Sequence, residues 1–160
     1  MFSSELLPIY LNDHFALSTA GRDLARRAAG ANKGTELGTF LTGFAADVVA
    51  DRQQLIDVME RLDVGRDQVK LAAVWLGEKL GRFKLNGRLF EYSPLSRVIE
   101  LEGLIAGVHA KLALWRTLAA AAAEEPRIAD IDFAHLMERA REQLEALEAH
   151  HSDAAVAMLA

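Results

Sequence analysis

The amino-acid sequence predicts an all-α protein, a single bundle of four long helices, on the strength of three observations. Alanine, leucine, glutamate and arginine dominate the 160 residues, and all four are strong helix formers. Apolar residues recur at spacings of three, four and seven, while the alternation typical of half-buried strands is nearly absent. The three prolines, at positions 8, 94 and 126, fall close to the predicted helix ends. The chain 1–160 is therefore predicted to form one domain around one core.

The first two helices are predicted over about residues 5–29 and 35–62. Ser4 is the cap candidate for the first, and Pro8 lies among the early residues whose amides have no intrahelical partner. The turn residues 30–34 separate the two helices. The predicted inward stripes are Leu7, Tyr10, Leu17, Leu24 and Ala28 on the first helix, and Leu37, Leu41, Phe44, Val48, Leu55, Val58 and Leu62 on the second.

The second half of the chain carries clearer helix boundaries. Ser93-Pro94 pairs a cap residue with proline at the first helical position, so a helix is expected from there to about residue 123. Asp132 is the expected cap of the last helix. The inward stripes are predicted to be Val98, Leu101, Ile105, Val108, Leu112 and Trp115, then Phe133, Leu136, Ala140, Leu144, Leu147 and Met158.

The connections between the helices predict the topology of the bundle. Each long helix is about 40 Å long at about 1.5 Å per residue. The loops after the first and third helices are short, so those pairs are expected to be hairpins. The connection 63–93, with a shorter helix of its own over about 67–80, is long enough to recross the bundle. Recrossing gives an up-down-down-up order, whereas a mere excursion of this connection gives up-down-up-down.

Composition limits the partners and the chemistry. The formal charge of −5 argues against the basic surface that nucleic acids require. The absence of cysteine excludes disulfides and thiolate nucleophiles. No apolar run is long enough for a membrane span, and no basic signal region opens the chain, so a cytoplasmic protein is expected. Abundant apolar helix surface favours a homo-oligomer.

Small and aromatic residues on the helices are interpreted as packing features. Gly34-x-x-x-Gly38 and Gly103-x-x-x-Gly107 are expected to allow close approach between helices, because no strand or Gly-Lys-Ser/Thr accompanies them as in a phosphate loop. Trp75 and Trp115 are expected in the core.

Six polar residues interrupt or border the apolar stripes and are the candidate site. A charged or imidazole group inside a bundle costs several kcal/mol unless it is paired or ligated. Histidine nitrogens and carboxylate oxygens together suit iron, manganese or zinc. The candidate metal ligands are His14, Asp51, Glu102, His109, Glu148 and His151.

Helix length, connectivity and these inward carboxylate and histidine residues resemble the ferritin-like superfamily over nearly the whole chain. The chain is also similar to uncharacterised bacterial helical-bundle proteins of this size. The resemblance implies a di-metal site built from one Glu on each of two helices and a Glu-x-x-His on each of the other two. Glu148 to His151 matches the second element, and Glu102 stands for a single Glu. Helix two offers Asp51 followed by Gln54, and helix one offers His14.

Topology decides which of these residues can meet. With the recrossing connection His151 lies about 32 Å along the bundle, out of reach of His14 and Asp51, whereas the excursion brings most of the candidates together. Three functions remain open: a non-enzymatic protein acting through association, a ferritin-like metalloprotein binding Fe, Mn or Zn, and an acid–base enzyme that uses a His14–Asp51 pair. The third requires a pocket that reaches His14 from solvent.

Overall fold

The computed structural model describes residues 5–66 and 92–160. These residues form four α-helices, which are α1 (Leu6–Ala31), α2 (Glu36–Arg61), α3 (Pro94–Ala121) and α4 (Phe133–Leu159), with one 3₁₀ turn at Pro126–Ile128. No strand occurs in either described range, so the all-α prediction is confirmed there. The short helix predicted over about 67–80, with Trp75, lies outside the described residues.

The same four helices do not have the character of membrane spans. Within the two described ranges, none combines the length and the hydropathy that a bilayer span requires.

Side-chain caps fix the starts of three helices. The Ser93 hydroxyl accepts from the amide of Ser96, and the Ser96 side chain accepts from the amide of Ser93, which completes a capping box at α3. The Asp132 carboxylate accepts from the His135 amide at 2.9 Å at the start of α4. Both predicted caps are confirmed. Thr35 caps α2 in the same way. Helix α1 begins after Glu5, which makes no side-chain cap, and Ser4 lies outside the described residues.

The turn between α1 and α2 is tighter than the sequence predicts. Helix α1 runs through Gly30 to Ala31, because the side chain of the buried Asn32 donates to the carbonyl oxygen of Ala28 at 2.8 Å and extends the last turn. A Cβ atom at Gly38 would overlap the backbone oxygen of Asn32. The approach at Gly38 is therefore to the loop that precedes its own helix, and Gly34 lies in the turn with a φ of 83° and nothing within 4 Å of an added Cβ atom. The close approach between helices predicted for this pair of glycines is wrong.

Contacts across the bundle define how the helices run. The Tyr10 hydroxyl donates to Thr117 at 3.1 Å, so the start of α1 lies beside the end of α3. Arg27 donates to Glu100 at 2.9 Å near the other end of the same two helices. Helices α1 and α3 are therefore antiparallel.

Helices α2 and α4 show the same relation. The rings of Phe40 and His150 lie 4.7 Å apart, and the Gln143 side chain donates to Asp47 at 3.4 Å. As the position on α2 advances by seven residues, its partner on α4 retreats by seven. These two helices are also antiparallel.

Two buried apolar clusters fill the bundle, one at each end. The cluster around Leu24, Leu41, Leu101 and Leu147 lies toward the α1–α2 turn. The other, around Leu11, Met59, Trp115 and Phe133, lies toward the α3–α4 turn. Asp51 and its partners lie between the two clusters and form a polar layer across the middle.

The predicted stripes of α2, α3 and α4 are buried or half-buried throughout, as expected. On α1 the prediction is wrong by one residue in the first turns: Leu11 and Phe15 are buried, while Tyr10 and Leu17 are only half-buried. The start of α1 is apolar on nearly every side, so spacing alone does not select the inward face.

A candidate ligand-binding cavity

The polar layer pairs every buried charge that it contains. Lys111 donates from Nζ to Asp51 and to the Gln143 side-chain oxygen, each at 2.5 Å. Arg139 donates to the other carboxylate oxygen of Asp51, whose residue is 4% exposed. Gln143 in turn donates to Asp47. Because both oxygens of Asp51 accept from cations, this carboxylate is neutralised inside the bundle.

Lys111 shows the energetic consequence of that burial. Desolvation lowers the pKa of its ammonium group, and the neighbouring Asp51 opposes the shift. Lys111 was not among the predicted site residues. The residue nevertheless lies three positions after Val108 and four before Trp115, on the buried face of α3. Arg139 has the same relation to Leu136 and Gln143 on α4. A cation at an inward helical position was the signal that could have found both.

Beside this layer a partly open cavity lies between α1, α2 and α3. The empty space between the helices, counted out to the open mouth and including solvent there, is about 560 Å³. Most of its wall is apolar. Its lining comprises His14, Leu17, Ser18, Gly21, Phe44, Val48, Asp51, Arg52, Leu55, Gly103, Leu104, Gly107, Val108, Lys111, Leu114 and Trp115.

The lining changes in character along the bundle. On α3 it extends from Gly103 to Trp115, about 18 Å at about 1.5 Å per residue. The antiparallel register of α1 and α3 places Gly21 at the level of Gly107, and His14 close to Trp115. The polar residues are thus gathered in the half near Trp115, and the other half is lined by glycines and apolar side chains.

Three glycines widen the apolar half of the cavity. A Cβ atom at Gly21 or Gly107 would meet nothing within 4 Å, whereas one at Gly103 would lie 3.0 Å from a methyl group of Leu24. The close approach predicted for the Gly103 to Gly107 pair is therefore confirmed at Gly103 and wrong at Gly107. At Gly107 the missing side chain leaves open space.

His14 lies at the polar half of the cavity and is half-buried. Its ring meets the ring of Tyr10 edge to face, with centroids 4.7 Å apart. Burial lowers the pKa of its imidazole below the ordinary value of 6.5, and Asp13 only partly opposes this. His14 is consequently neutral at pH 7, with nitrogen atoms that can accept or donate one hydrogen bond each.

Arg52 is the cavity cation that is not paired. Its Cζ lies 4.4 Å from the centroid of the Phe15 ring, and its Nε donates to Thr19 at 3.3 Å. No salt bridge to Arg52 is formed among residues 5–66 and 92–160. A fixed positive charge therefore lines the cavity without a counter-ion from the described chain.

Trp115 adds a buried donor to the same half. The residue is 1% exposed, and its indole Nε1 has no hydrogen-bond partner in the described structure. Burying an N–H group without an acceptor costs about 1–3 kcal/mol. The expectation that Trp115 is a core residue is confirmed, and the residue also lines the cavity.

The six predicted metal ligands lie at different levels of the bundle. Glu102 and His151 are in contact, with Oε1 and Nε2 3.2 Å apart. His14 and Asp51 share the cavity, while His109 and Glu148 are exposed. The register of α2 and α4 places His151 about 18 Å from Asp51 along the axis.

The described residues contain no group of three or more His, Asp or Glu side chains placed to hold a metal ion. A site for Fe, Mn or Zn built from the six candidates stays a prediction. Metal analysis of protein purified without chelator tests it directly, because a resident ion would be recovered near one equivalent.

The acid–base hypothesis meets one of its two requirements. A partly open cavity does reach His14. No hydrogen bond joins His14 to Asp51, however, because the Asp51 oxygens accept from Lys111 and Arg139. The carboxylate that was expected to orient the imidazole is used inside the polar layer instead.

Comparison of the chain with protein-family models, with curated proteins and with solved structures found no match. The functional argument therefore stands on the cavity and its residues.

Proposed function

We propose that this chain is a ferritin-like helical-bundle protein that acts by non-covalent binding rather than by catalysis, and that the α1–α2–α3 cavity is its small-molecule site. The observation that carries the proposal is the partly open, mostly apolar cavity itself, with its few polar side chains gathered near one end. Few precisely placed polar groups in an apolar pocket are typical of ligand sites.

The ferritin-like part of the proposal is supported by the helix pairings. Helix α1 is antiparallel to α3, and α2 is antiparallel to α4, with contacts at both ends of the first pair and along the second. Together with short loops inside each hairpin, these directions favour an up-down-down-up order, which a connection recrossing the bundle produces.

Binding is favoured over acid–base chemistry by the state of the cavity's ionisable groups. Asp51 is neutralised by two cations, so it cannot serve as a general base at the cavity wall. His14 is neutral and contacts a tyrosine ring, and no carboxylate of the described residues is bonded to it. The carboxylate that orients the imidazole in a catalytic triad therefore has no counterpart among those residues.

Titration with the neutral fluorescent probe N-phenyl-1-naphthylamine tests the proposed site. The probe is expected to bind at one site per chain. A Gly107→Leu variant should weaken that binding at least tenfold, because the new side chain grows into open cavity space. Gly43→Leu is the matched control: Gly43 also has nothing within 4 Å of an added Cβ, and it does not line the cavity. Equal probe affinity in the two variants would refute the proposal.

We also propose that the chain forms a homodimer through an exposed apolar patch at the end of the bundle near the α1–α2 turn. Leu95 is 51% exposed, Val156 71% and Leu159 82%, and the α3–α4 register places these residues at one level. Size-exclusion chromatography coupled to light scattering measures the oligomeric state and so tests the proposed dimer. A Val156→Lys/Leu159→Lys variant should be monomeric, and a wild-type monomer at high concentration would refute the dimer.

A further inference from the structure

The charges around the cavity do not balance. Asp51, Arg52 and Lys111 line it, and Lys111 donates to Asp51 at 2.5 Å. The remaining Asp51 oxygen accepts from Arg139, behind the cavity wall. Asp23 partly offsets the charge of Arg52, but no carboxylate of the described residues forms a salt bridge with Arg52. The cavity offers one positive charge to whatever enters it.

Arg52 is held in a geometry suited to a carboxylate. The contacts of its Nε with Thr19 and of its Cζ with the Phe15 ring fix the guanidinium plane. Neither terminal nitrogen makes a hydrogen bond within residues 5–66 and 92–160. A guanidinium edge of this kind binds a carboxylate through two parallel N–H···O bonds.

The surroundings of Arg52 increase its tendency to hold an anion. Burial lowers the pKa of its guanidinium, and so do the nearby positive charges of Arg22 and Arg66, while Asp23 opposes the shift. The guanidinium still stays protonated at any physiological pH. A bound anion would relieve the repulsion that Asp23 does not offset.

The rest of the cavity is suited to an uncharged body. The half away from Trp115 is lined by Gly21, Phe44, Leu104, Gly107 and Val108, which provide no charge and no side-chain hydrogen-bonding group. A ligand with a second charge would have to leave it unpaired there, at a cost of several kcal/mol. Side chains that can form hydrogen bonds or ion pairs with a ligand are therefore confined to the polar half of the cavity.

From these observations we infer that the cavity binds an amphipathic monocarboxylate, with the carboxylate against Arg52 and the apolar chain or ring in the glycine-lined half. This inference rests on the proposed binding function and specifies its ligand class.

Displacement of N-phenyl-1-naphthylamine by three eight-carbon compounds tests the ligand class on the wild-type protein. Octanoate, octanol and octylamine share an apolar chain and differ in the charge of the head group. Octanoate is expected to displace the probe at concentrations at least tenfold lower than octanol, since a charge-assisted pair adds about a factor of ten or more. Octylamine is expected to be weaker than both.

The Arg52→Gln variant assigns that preference to one residue. It should weaken octanoate binding about tenfold and abolish the preference for octanoate over octanol. Arg26→Gln is the control for net charge, because Arg26 is exposed on α1 and does not line the cavity. It should bind octanoate like the wild type. If Arg52→Gln does not fold, the comparison of head groups on the wild type still decides the ligand class.

Each outcome separates the two proposals. If the probe binds but octanol displaces it as well as octanoate, or octylamine displaces it best, the carboxylate inference is wrong and the binding site stands. Octanoate binding that survives in a folded Arg52→Gln protein also overturns the inference. If the probe itself does not bind, the proposed function fails, and the inference fails with it.

Discussion

Replacing Asp51 by asparagine is expected to destabilise the folded bundle strongly, because Asp51 is the anion of two buried ion pairs. The substitution keeps the shape of the side chain but leaves Lys111 and Arg139 without their anion, although their side chains are only 15% and 24% exposed. Breaking a buried ion pair by removing one partner costs about 3–5 kcal/mol. Lys111 keeps the Gln143 oxygen as an acceptor, so the lower end applies, about 3 kcal/mol.

Chemical and thermal unfolding measure this loss. For a chain of 160 residues, about 3 kcal/mol corresponds to a fall of about 6–12 °C in Tm. A double-mutant cycle with Lys111→Met isolates the pair, because the double variant no longer buries the uncompensated ammonium group. The double variant is expected to recover at least about 1 kcal/mol relative to the sum of the single changes.

Two results would refute this reasoning. One is a loss below about 1 kcal/mol for Asp51→Asn, the size of an exposed ion pair. The other is additivity of the two substitutions within about 0.5 kcal/mol, which is the behaviour of independent sites. Either would mean that water, rather than the partner side chains, solvates Asp51.

Three further experiments test the remaining structure. Burial lowers the folded pKa of His14 below its unfolded value, so the unfolded state binds more protons and stability falls as the pH drops from about 7.5 through 6.5. In urea unfolding at about pH 7.5 and pH 5, His14→Gln should lose less stability on acidification than the wild type or the exposed His109→Gln, and an unchanged loss would contradict the burial of His14. Ser93→Ala removes the capping box of α3 and should lower the free energy of unfolding by about 1 kcal/mol, whereas no change would mean that the cap is replaced by water. Gly21→Ala should raise Tm and add about 0.5–1 kcal/mol to the free energy of unfolding, because the new Cβ atom meets nothing within 4 Å. Gly38→Ala should lower Tm, because its Cβ atom would overlap the backbone oxygen of Asn32. A Tm that falls for Gly21→Ala and rises for Gly38→Ala would refute the packing described at both glycines.

Residues that act through their nearest neighbours in the chain were predictable. Ser93 and Asp132 cap their helices because a hydroxyl or carboxylate can reach an amide three residues ahead, which is a local matter. The stripes of α2, α3 and α4 were predictable for the same reason, since helical spacing alone sorts inward from outward positions when the outer face is polar.

The partners of the buried Asp51 were not predicted from the sequence. Asp51 was recognised as a buried charge that needs partners, but the sequence analysis looked for them among histidines and carboxylates. Its partners are Lys111 and Arg139, long cations from two other helices. Spacing places Lys111 on the inward face of α3, yet only the assembled bundle brings it to the level of Asp51.

The sequence by itself determined that this chain is helical, where α3 and α4 begin, and which faces of three helices turn inward, because hydrogen bonding and side-chain spacing within a helix are local. Only the tertiary structure decided which helices are neighbours and at what register they meet. That register leaves Arg52 without a counter-ion, Trp115 without an acceptor, and Gly21 and Gly107 facing open space in one cavity. These features depend on how the helices are positioned relative to one another, which the residue pattern of a single helix does not determine.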